Sequence, residues 1–418
     1  MSKLQPVRGT HDILPQEAAQ RRAAEQALAQ VCALYGYGEI QTPVFEFSDV
    51  FHRTLGDTSD VVTKETYTFT DRGGESITLR PEFTAGVVRA LISNGLQEQL
   101  PFKVWYHGPA FRYERPQKGR LRQFHQFGAE CIGAESPLAD VQMIAMANQA
   151  LAAIGVAGAT VLEINSLGDA QSRLNYRAAL VTYFNSRKNL LSEDSKMRLE
   201  KNPLRILDSK DENDRQLIAS APRGHDYFTS EAKDFFAEVQ ESLSMLGIAH
   251  QVNPRLVRGL DYYSHTVFEF TTEALGSQGT VLAGGRYDRL VAMMGGHNLP
   301  GVGFAAGMER LLALQEALGV SAGETARVQV AVVPVDEPQE RAGLELAQML
   351  RAGGIASELI TRGNMGKKMK RAEKTGAAFV AILGETELQT GHVVLKTLAD
   401  GKQEIHARSD LVQYLKTL

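Results

Sequence analysis

The sequence predicts an α+β protein: an antiparallel sheet flanked by helices and interrupted by a helical insertion, followed by a smaller α/β domain. Three observations carry this prediction. Two long β-type runs, FKVWYHGPAFRYE and LRQFHQFGAECIG, flank the basic loop RPQKGR, the pattern of an antiparallel hairpin. From about Asp169 to Tyr227 the pattern turns polar and helical, and sheet-like segments resume at HQVNPRLVRGLDYY. After the Gly/Ser/Ala-rich stretch GVSAGETA, strands alternate with helices for about a hundred residues. The expected boundaries are 1–320 for the first domain, interrupted by 169–227, and 327–418 for the second.

The chain begins with a helix. Pro15 suits a first turn, EAAQRRAAEQALAQVCALY is rich in helix formers, and Gly36 stops it. EIQTPVFE reads as a strand, and TYTFTDRGGESITLRPE as a hairpin turning at Asp71 to Gly74. FTAGVVRALISNG is a short helix closed by Gly95. Ser136 and Pro137 open another helix, ending near Gly155, before the strand VLEINSLG. TVLAGG and GVGFAAGMERLLALQEALG complete the first domain. In the second, RVQVAVVPV, IASELIT and AAFVAILGE are strands, MGKKMKRAEKTG is a basic helix, and HVVLKTLADGKQEIHAR is a hairpin before a last helix.

The totals exclude several classes. A chain of 418 residues is too long for one ordinary core. No apolar run reaches the roughly 20 residues that span a bilayer, and MSKLQPVRGTHDILP lacks the apolar core of a secretion signal. Cys32 and Cys131 make no disulfide framework, so a reducing cytoplasm is the expected home. A net charge of −4 argues against a surface that grips nucleic acid everywhere, and leaves local basic patches open. Ten histidines fall without metal-ligand spacing, so no protein-held metal is expected.

Side-chain alternation puts Tyr106, Gly108, Ala110 and Arg112 on one face of the first hairpin strand, and Phe124, Gln126, Gly128 and Glu130 on one face of the return strand. If the faces coincide they make a polar platform, with small residues leaving room for a ligand; the competing reading is a polar outer face. Glu82, before a helix, suits an amino group with Thr84 beside it, or simply caps the helix. The glycines of GVGFAAGMER resemble a dinucleotide fingerprint only loosely, since the spacing is wrong. Arg310 could stack on a base or form an ordinary ion pair. LVRGLDYYSHTVFEF gathers Arg258, Asp261, Tyr262 and Tyr263, as either a structural salt bridge with core aromatics or a site. Lys367, Lys368, Lys370, Arg371 and Lys374 lie on one helix, as a solvated face or a phosphate contact.

Together these segments resemble one family over essentially the whole chain: the bacterial-type histidyl-tRNA synthetases, class II aminoacyl-tRNA synthetases. The helix before GYGEIQTPVFE looks like motif 1, with Pro43 at a dimer interface. FRYERPQKGRLRQFHQFGAE looks like motif 2 and GVGFAAGMERL like motif 3, while LVRGLDYYSHTVFEF and LAGGRYD resemble the histidine-specific signatures.

The resemblance implies a class II catalytic domain followed by an anticodon-binding domain. It implies activation of L-histidine with ATP to histidyl-adenylate and pyrophosphate, then transfer to the 3′ end of tRNA(His), with Mg2+ entering alongside ATP and a cytoplasmic homodimer as the working form. Arg258 and Arg112 are implied as the catalytic cations. Glu82, Thr84, Arg112, Gln126, Glu130, Arg258, Tyr262 and Tyr263 are implied to bind histidine, with Tyr263 and Glu130 at the imidazole. Arg112, Glu114, Arg120 and Arg310 are implied to bind ATP, and Arg115, Gln117, Lys118 and Arg120 to meet the tRNA.

A pocket pairing both imidazole nitrogens rejects apolar analogues by roughly 10⁴-fold, so no editing domain is required. Two positions depart from the family pattern: Phe83, where a small residue is expected after RPE, and Arg289, where glycine is frequent after GGRYD. The rival readings are a noncatalytic regulatory paralogue, which typically lacks the phosphate-site arginines or the C-terminal domain, a class II synthetase for another amino acid, and a dehydrogenase.

Overall fold

The computed structural model describes residues 4–55, 65–116, 120–209, 211–257, 262–276, 279–320 and 328–418. Pro15 opens α1 (Pro15–Leu34), and Gly36 follows its end at φ +76°. The stretch read as one strand is two, β1 (Gly38–Glu39) and β2 (Phe45–Phe47), because Pro43 has no N–H for a ladder and the chain changes sheets there. After α2 (Asp49–Leu55), the hairpin β3 (Tyr67–Thr70) and β4 (Ser76–Leu79) joins β2 in a small sheet ordered β2-β4-β3. Asp71 holds its turn by accepting the Gly73 and Glu75 N–H groups. Next come α3 (Thr84–Ser93), the hairpin strands β5 (Phe102–Phe111) and β6 (Gln123–Ile132), and α4 (Pro137–Ala153), capped by Ser136.

β7 (Val161–Ser166) precedes a wholly helical stretch of α5 (Ala170–Asn185), α6 (Glu193–Lys201) and α7 (Glu212–Ala219), after which α8 (Ser230–Met245) leads back to the sheet. This stretch has its own small core of Leu180, Phe184, Leu191, Leu199 and Ile206. Asp214 locks α6 to α7 by accepting hydrogen bonds from the hydroxyls of Ser192, Ser195 and Ser209. β8 (Gln251–Val252), β9 (Ser264–Thr271), β10 (Thr280–Arg286), the short α9 (Leu290–Met293), β11 (Gly301–Gly307) and α10 (Met308–Ala317) finish the unit.

Its eight-stranded sheet runs β1-β5-β6-β11-β10-β9-β7-β8, antiparallel except at the two edge pairs. One face packs on α1, α4, α8 and α10 through residues such as Leu28, Ile144, Val239, Phe268 and Leu311. The other meets α2, α3 and α9 through Phe51, Val88, Leu91 and Leu290, and this second face carries the cavity. One sequence expectation needs correcting. Of LVRGLDYY, read as sheet-like, the described residues Leu256, Val257, Tyr262 and Tyr263 belong to no strand, and β9 begins at Ser264. GVGFAAG, whose glycine spacing does not fit a dinucleotide fingerprint, is the sheet strand β11, paired over 301–307 with β6 and over 302–306 with β10.

The chain comprises two compact units, Met1–Ala322 and Gly323–Leu418. The second unit contains β12 (Val330–Pro334), α11 (Glu340–Ala352), β13 (Ser357–Leu359), α12 (Met365–Lys374), β14 (Phe379–Leu383), α13 (Glu385–Thr390), β15 (His392–Thr397), β16 (Gln403–Ala407) and α14 (Leu411–Leu415). Its sheet, β13-β12-β14-β15-β16, is parallel over the first three strands and antiparallel over the rest. Apolar clusters form on both of its faces, as expected of parallel strands covered by helices. Among the described residues no helix is long and apolar enough to cross a membrane.

Candidate active site

Register decides whether the two hairpin faces coincide. Tyr106 pairs with Gly128, Gly108 with Gln126, Ala110 with Phe124 and Val104 with Glu130, so the even-numbered side chains of β5 and β6 share one face. β11 extends that face, with Gly303 opposite Glu130, Ala305 opposite Gly128 and Gly307 opposite Gln126. The space over Gly108 and Gly128 is taken by protein. A Cβ at Gly108 would lie 2.8 Å from the Arg80 guanidinium, and one at Gly128 would lie 2.4 Å from the Tyr106 hydroxyl. The open floor is on β11 instead, where a Cβ at Gly307 would meet nothing nearer than Arg310, at 4.0 Å.

A cavity of about 280 Å³ stands on this floor. Its walls include Glu82, Thr84, Arg112, Gln126, Glu130, Tyr262, Tyr263 and Arg310. A second compartment of about 140 Å³ shares Arg112, Gln126 and Arg310 with it and adds Glu114 and Arg120. Of the remaining residues singled out in the sequence, Arg115 is exposed, and Arg258, Gln117 and Lys118 lie outside the described residues.

One end of the cleft is acidic and buried. Glu130, 1% exposed, accepts hydrogen bonds from the hydroxyls of Thr84 (2.7 Å) and Tyr106 (3.1 Å) on Oε1, and from Tyr287 (2.6 Å) on Oε2. Burial pushes its carboxyl up to about 7, and the hydroxyl donors work against that rise. Gly303 is needed for this arrangement: a Cβ there would sit 1.7 Å from Glu130 Oε2. Glu82 accepts the Thr84 and Ala85 N–H groups at 2.6 and 2.9 Å, so it caps α3 and lines the cavity at once. Burial raises its carboxyl as well. The Gln126 amide oxygen is buried with no hydrogen-bond partner, a state costing about 1–3 kcal/mol unless a bound group supplies a donor.

The other end is cationic. Arg112 Nε donates to the Pro81 carbonyl at 3.0 Å, and its guanidinium lies 5.4 Å from the Phe124 ring centroid. Arg120 pairs with Glu114 at 3.2 Å. Arg310 Nη1 donates to the Thr280 carbonyl at 2.8 Å. Burial, then the charge of Arg120, depresses the Arg310 guanidinium, while Glu114 pulls the other way. Glu309 anchors the start of α10: it accepts from Arg21 at 2.6 Å and from the His125 backbone N–H at 3.0 Å. This leaves Arg310, the next residue, at the cavity wall.

Sequence reasoning missed three supporting groups. Tyr287 was visible only as part of LAGGRYD, where nothing signals that its hydroxyl reaches Glu130. Arg286 forms a buried pair with Asp140 at 2.6 Å, linking β10 to α4. Burial works against the Arg286 charge and the attraction of Asp140 outweighs it. Glu269 also lines the cavity and accepts from Thr280 at 2.9 Å; its signal was a lone carboxylate in the alternation VFEF.

The histidyl-tRNA synthetase family model matches residues 9–311, and the anticodon binding domain model matches residues 329–418. The chain belongs to the histidyl-tRNA synthetase family. The protein named histidine–tRNA ligase from Rhodospirillum rubrum is 55% identical over 99% of both chains, and that from Gluconacetobacter diazotrophicus is 52% identical over 100% of both. The crystal structure of apo histidyl-tRNA synthetase from S. aureus matches with a TM-score of 0.86 at 35% identity, covering 99% of this chain and 100% of that one. A Bacillus halodurans structure titled ATP phosphoribosyltransferase regulatory subunit/histidyl-tRNA synthetase matches at a TM-score of 0.64 over 92% of this chain and 99% of that one; at 23% identity, the likeness is one of fold. Within a histidyl-tRNA synthetase, a cleft with carboxylates at one end and guanidiniums at the other has the polarity that an amino acid and a nucleotide require.

Proposed function

We propose that this cleft joins L-histidine to ATP, forming histidyl-adenylate and releasing pyrophosphate, and then passes the histidyl group to the 3′ end of tRNA(His). The observation that carries the residue assignments is the division of one cleft between buried carboxylates and guanidiniums. Glu130 accepts the imidazole N–H, with Tyr262 and Tyr263 closing the pocket. Glu82, Thr84 and Gln126 hold the α-amino and carboxylate end. Arg112 and Arg258 neutralise the two anions that meet when the histidine carboxylate attacks the α-phosphate, and they stabilise charge on the pentacoordinate phosphorus. Glu114, Arg120 and Arg310 hold the nucleotide. Arg115, Gln117, Lys118 and Arg120 meet the acceptor end of the tRNA.

Among the described residues no group of three or more His, Cys, Asp or Glu side chains could hold a metal. Mg2+ enters with ATP in this reading, carried mainly by its phosphates, where it neutralises charge. The catalytic domain is assigned to 1–320, interrupted by 169–227, and the anticodon-binding domain to 327–418. The working form is a cytoplasmic homodimer, since translation takes place in the cytoplasm. Supporting the dimer, Phe45, Phe47 and Phe69 are each at least half exposed and share one face of the β2-β4-β3 sheet; sedimentation as a monomer at micromolar concentration would remove it.

The test is pyrophosphate exchange into ATP with each of the twenty amino acids supplied separately. Exchange with histidine alone is expected, reduced roughly 10²-fold or more in Arg112→Lys and Arg258→Ala. No exchange from a folded protein that still binds histidine would point to a regulatory protein instead.

A further inference from the structure

Phe83 replaces the small residue that the family pattern leads one to expect, and it is not a surface accident. Its side chain is 1% exposed, and its ring lies flat on Tyr106, with centroids 4.4 Å apart and planes 1° from parallel. The Arg80 guanidinium sits 3.8 Å from the same ring centroid, which places it on the face that Tyr106 leaves free. Arg80 is itself fixed, donating to the carbonyls of Pro109 and Thr42 at 2.8 Å each. Gly108 makes the stack possible, for a Cβ there would lie 3.2 Å from Phe83 Cζ as well as 2.8 Å from Arg80 Nη2. The stack ends at the Tyr106 hydroxyl, which donates to Glu130 Oε1 and against which Gly128 packs.

We propose that Phe83 is a positioning residue for histidine selection: stacked between Arg80 and Tyr106, it holds the Tyr106 hydroxyl on Glu130 and so fixes the carboxylate that reads the imidazole. This rests on the assignment of Glu130 to the imidazole given above. Tyr106 is wholly buried, yet its hydroxyl is useful to Glu130 only in one ring orientation. A flat aromatic neighbour restrains that orientation; an aliphatic side chain fills the space without doing so. Phe83 touches no substrate in this scheme. It acts through Tyr106, and its effect should fall on histidine and not on ATP.

The experiment is pyrophosphate exchange on the full-length protein carrying Phe83→Leu, Tyr106→Phe, both together, or Glu130→Gln, with KM measured separately for histidine and ATP. Phe83→Leu is expected to raise the histidine KM roughly three- to tenfold and leave the ATP KM unchanged, on the scale of one aromatic stacking contact. In the Tyr106→Phe background the same substitution should add nothing, because no hydroxyl remains to be held. If Phe83→Leu lowers the melting temperature enough to blur the reading, Phe83→Met refills the space flexibly and reads the same split. Equal rises in both KM values, or additive effects of Phe83→Leu and Tyr106→Phe, would make Phe83 a packing residue and overturn the proposal. Damage to histidine use in Glu130→Gln with none in Phe83→Leu would overturn it while sparing the assignment of Glu130. An unchanged histidine KM in Glu130→Gln would overturn both.

Discussion

Glu130 is a carboxylate that the fold makes reluctant to ionise and then surrounds with hydroxyl donors. Its carboxyl titrates near 7 in the folded chain, against an ordinary value of 4.5. The folded state therefore keeps the proton across that window. The contribution of this group to stability is fully present below 4.5 and is lost as pH rises through 7. Glu130→Gln, which never ionises, should flatten the pH dependence of melting of the ligand-free protein between pH 5 and 8; a slope equal to that of the parent would place the titration elsewhere. For catalysis the sign is reversed, since only the anion accepts an imidazole N–H without competing to donate. The kcat/KM for histidine should rise as pH passes upward through about 7. Glu130→Gln should lower it roughly ten- to a hundredfold, the scale of one hydrogen bond to a charged group. Alternation along a single strand was enough to put Glu130 and Gln126 on one face from the sequence. Tyr287 could not be found that way, because its hydroxyl reaches Glu130 from a residue 157 positions away.

At the scale of elements, the basic helix α12 shows what a charge count conceals. Lys367, Lys370, Arg371 and Lys374 follow helical spacing on one side, but Lys368 turns inward. It is 2% exposed, and its Nζ donates to the Pro334 and Val335 carbonyls at 2.7 and 3.2 Å. Lys368 therefore belongs to neither a solvated face nor a phosphate contact; it is a structural tie between α12 and the end of β12. Lys368→Met should cost about 1–3 kcal/mol by stranding those carbonyls, while the tRNA KM stays as it was. Replacing Lys367 and Lys370 with Glu should do the opposite, raising the tRNA KM with a salt dependence and leaving the melting temperature alone. A melting loss in the second variant and a tRNA defect in the first would reverse this division. The hairpin of β5 and β6 was legible because both strands are long and their loop is charged. Leu256, Val257, Tyr262 and Tyr263 look like strand in the sequence because buried aromatics and apolar residues suit a cavity wall as well as a ladder, and composition does not distinguish the two.

For the whole molecule, the sequence boundary near GVSAGETA lies close to the division between Met1–Ala322 and Gly323–Leu418. Every described residue of the cleft precedes that division, from Glu82 to Arg310. The large sheet has helices on both faces and its own apolar clusters, so the first unit has a core independent of the second. The second unit has clusters on both faces of its own sheet. Ending the chain after Ala326 should leave histidine-dependent pyrophosphate exchange within about twofold of the full-length value. Charging of tRNA should lose roughly 10²-fold or more in kcat/KM, because two linked modules on one RNA strengthen each other through effective concentration. The two assays separate the outcomes. Exchange and charging falling together would mean that the second unit also supports the fold of the first. Charging that survives intact would mean that it does not carry the tRNA contact assigned to it.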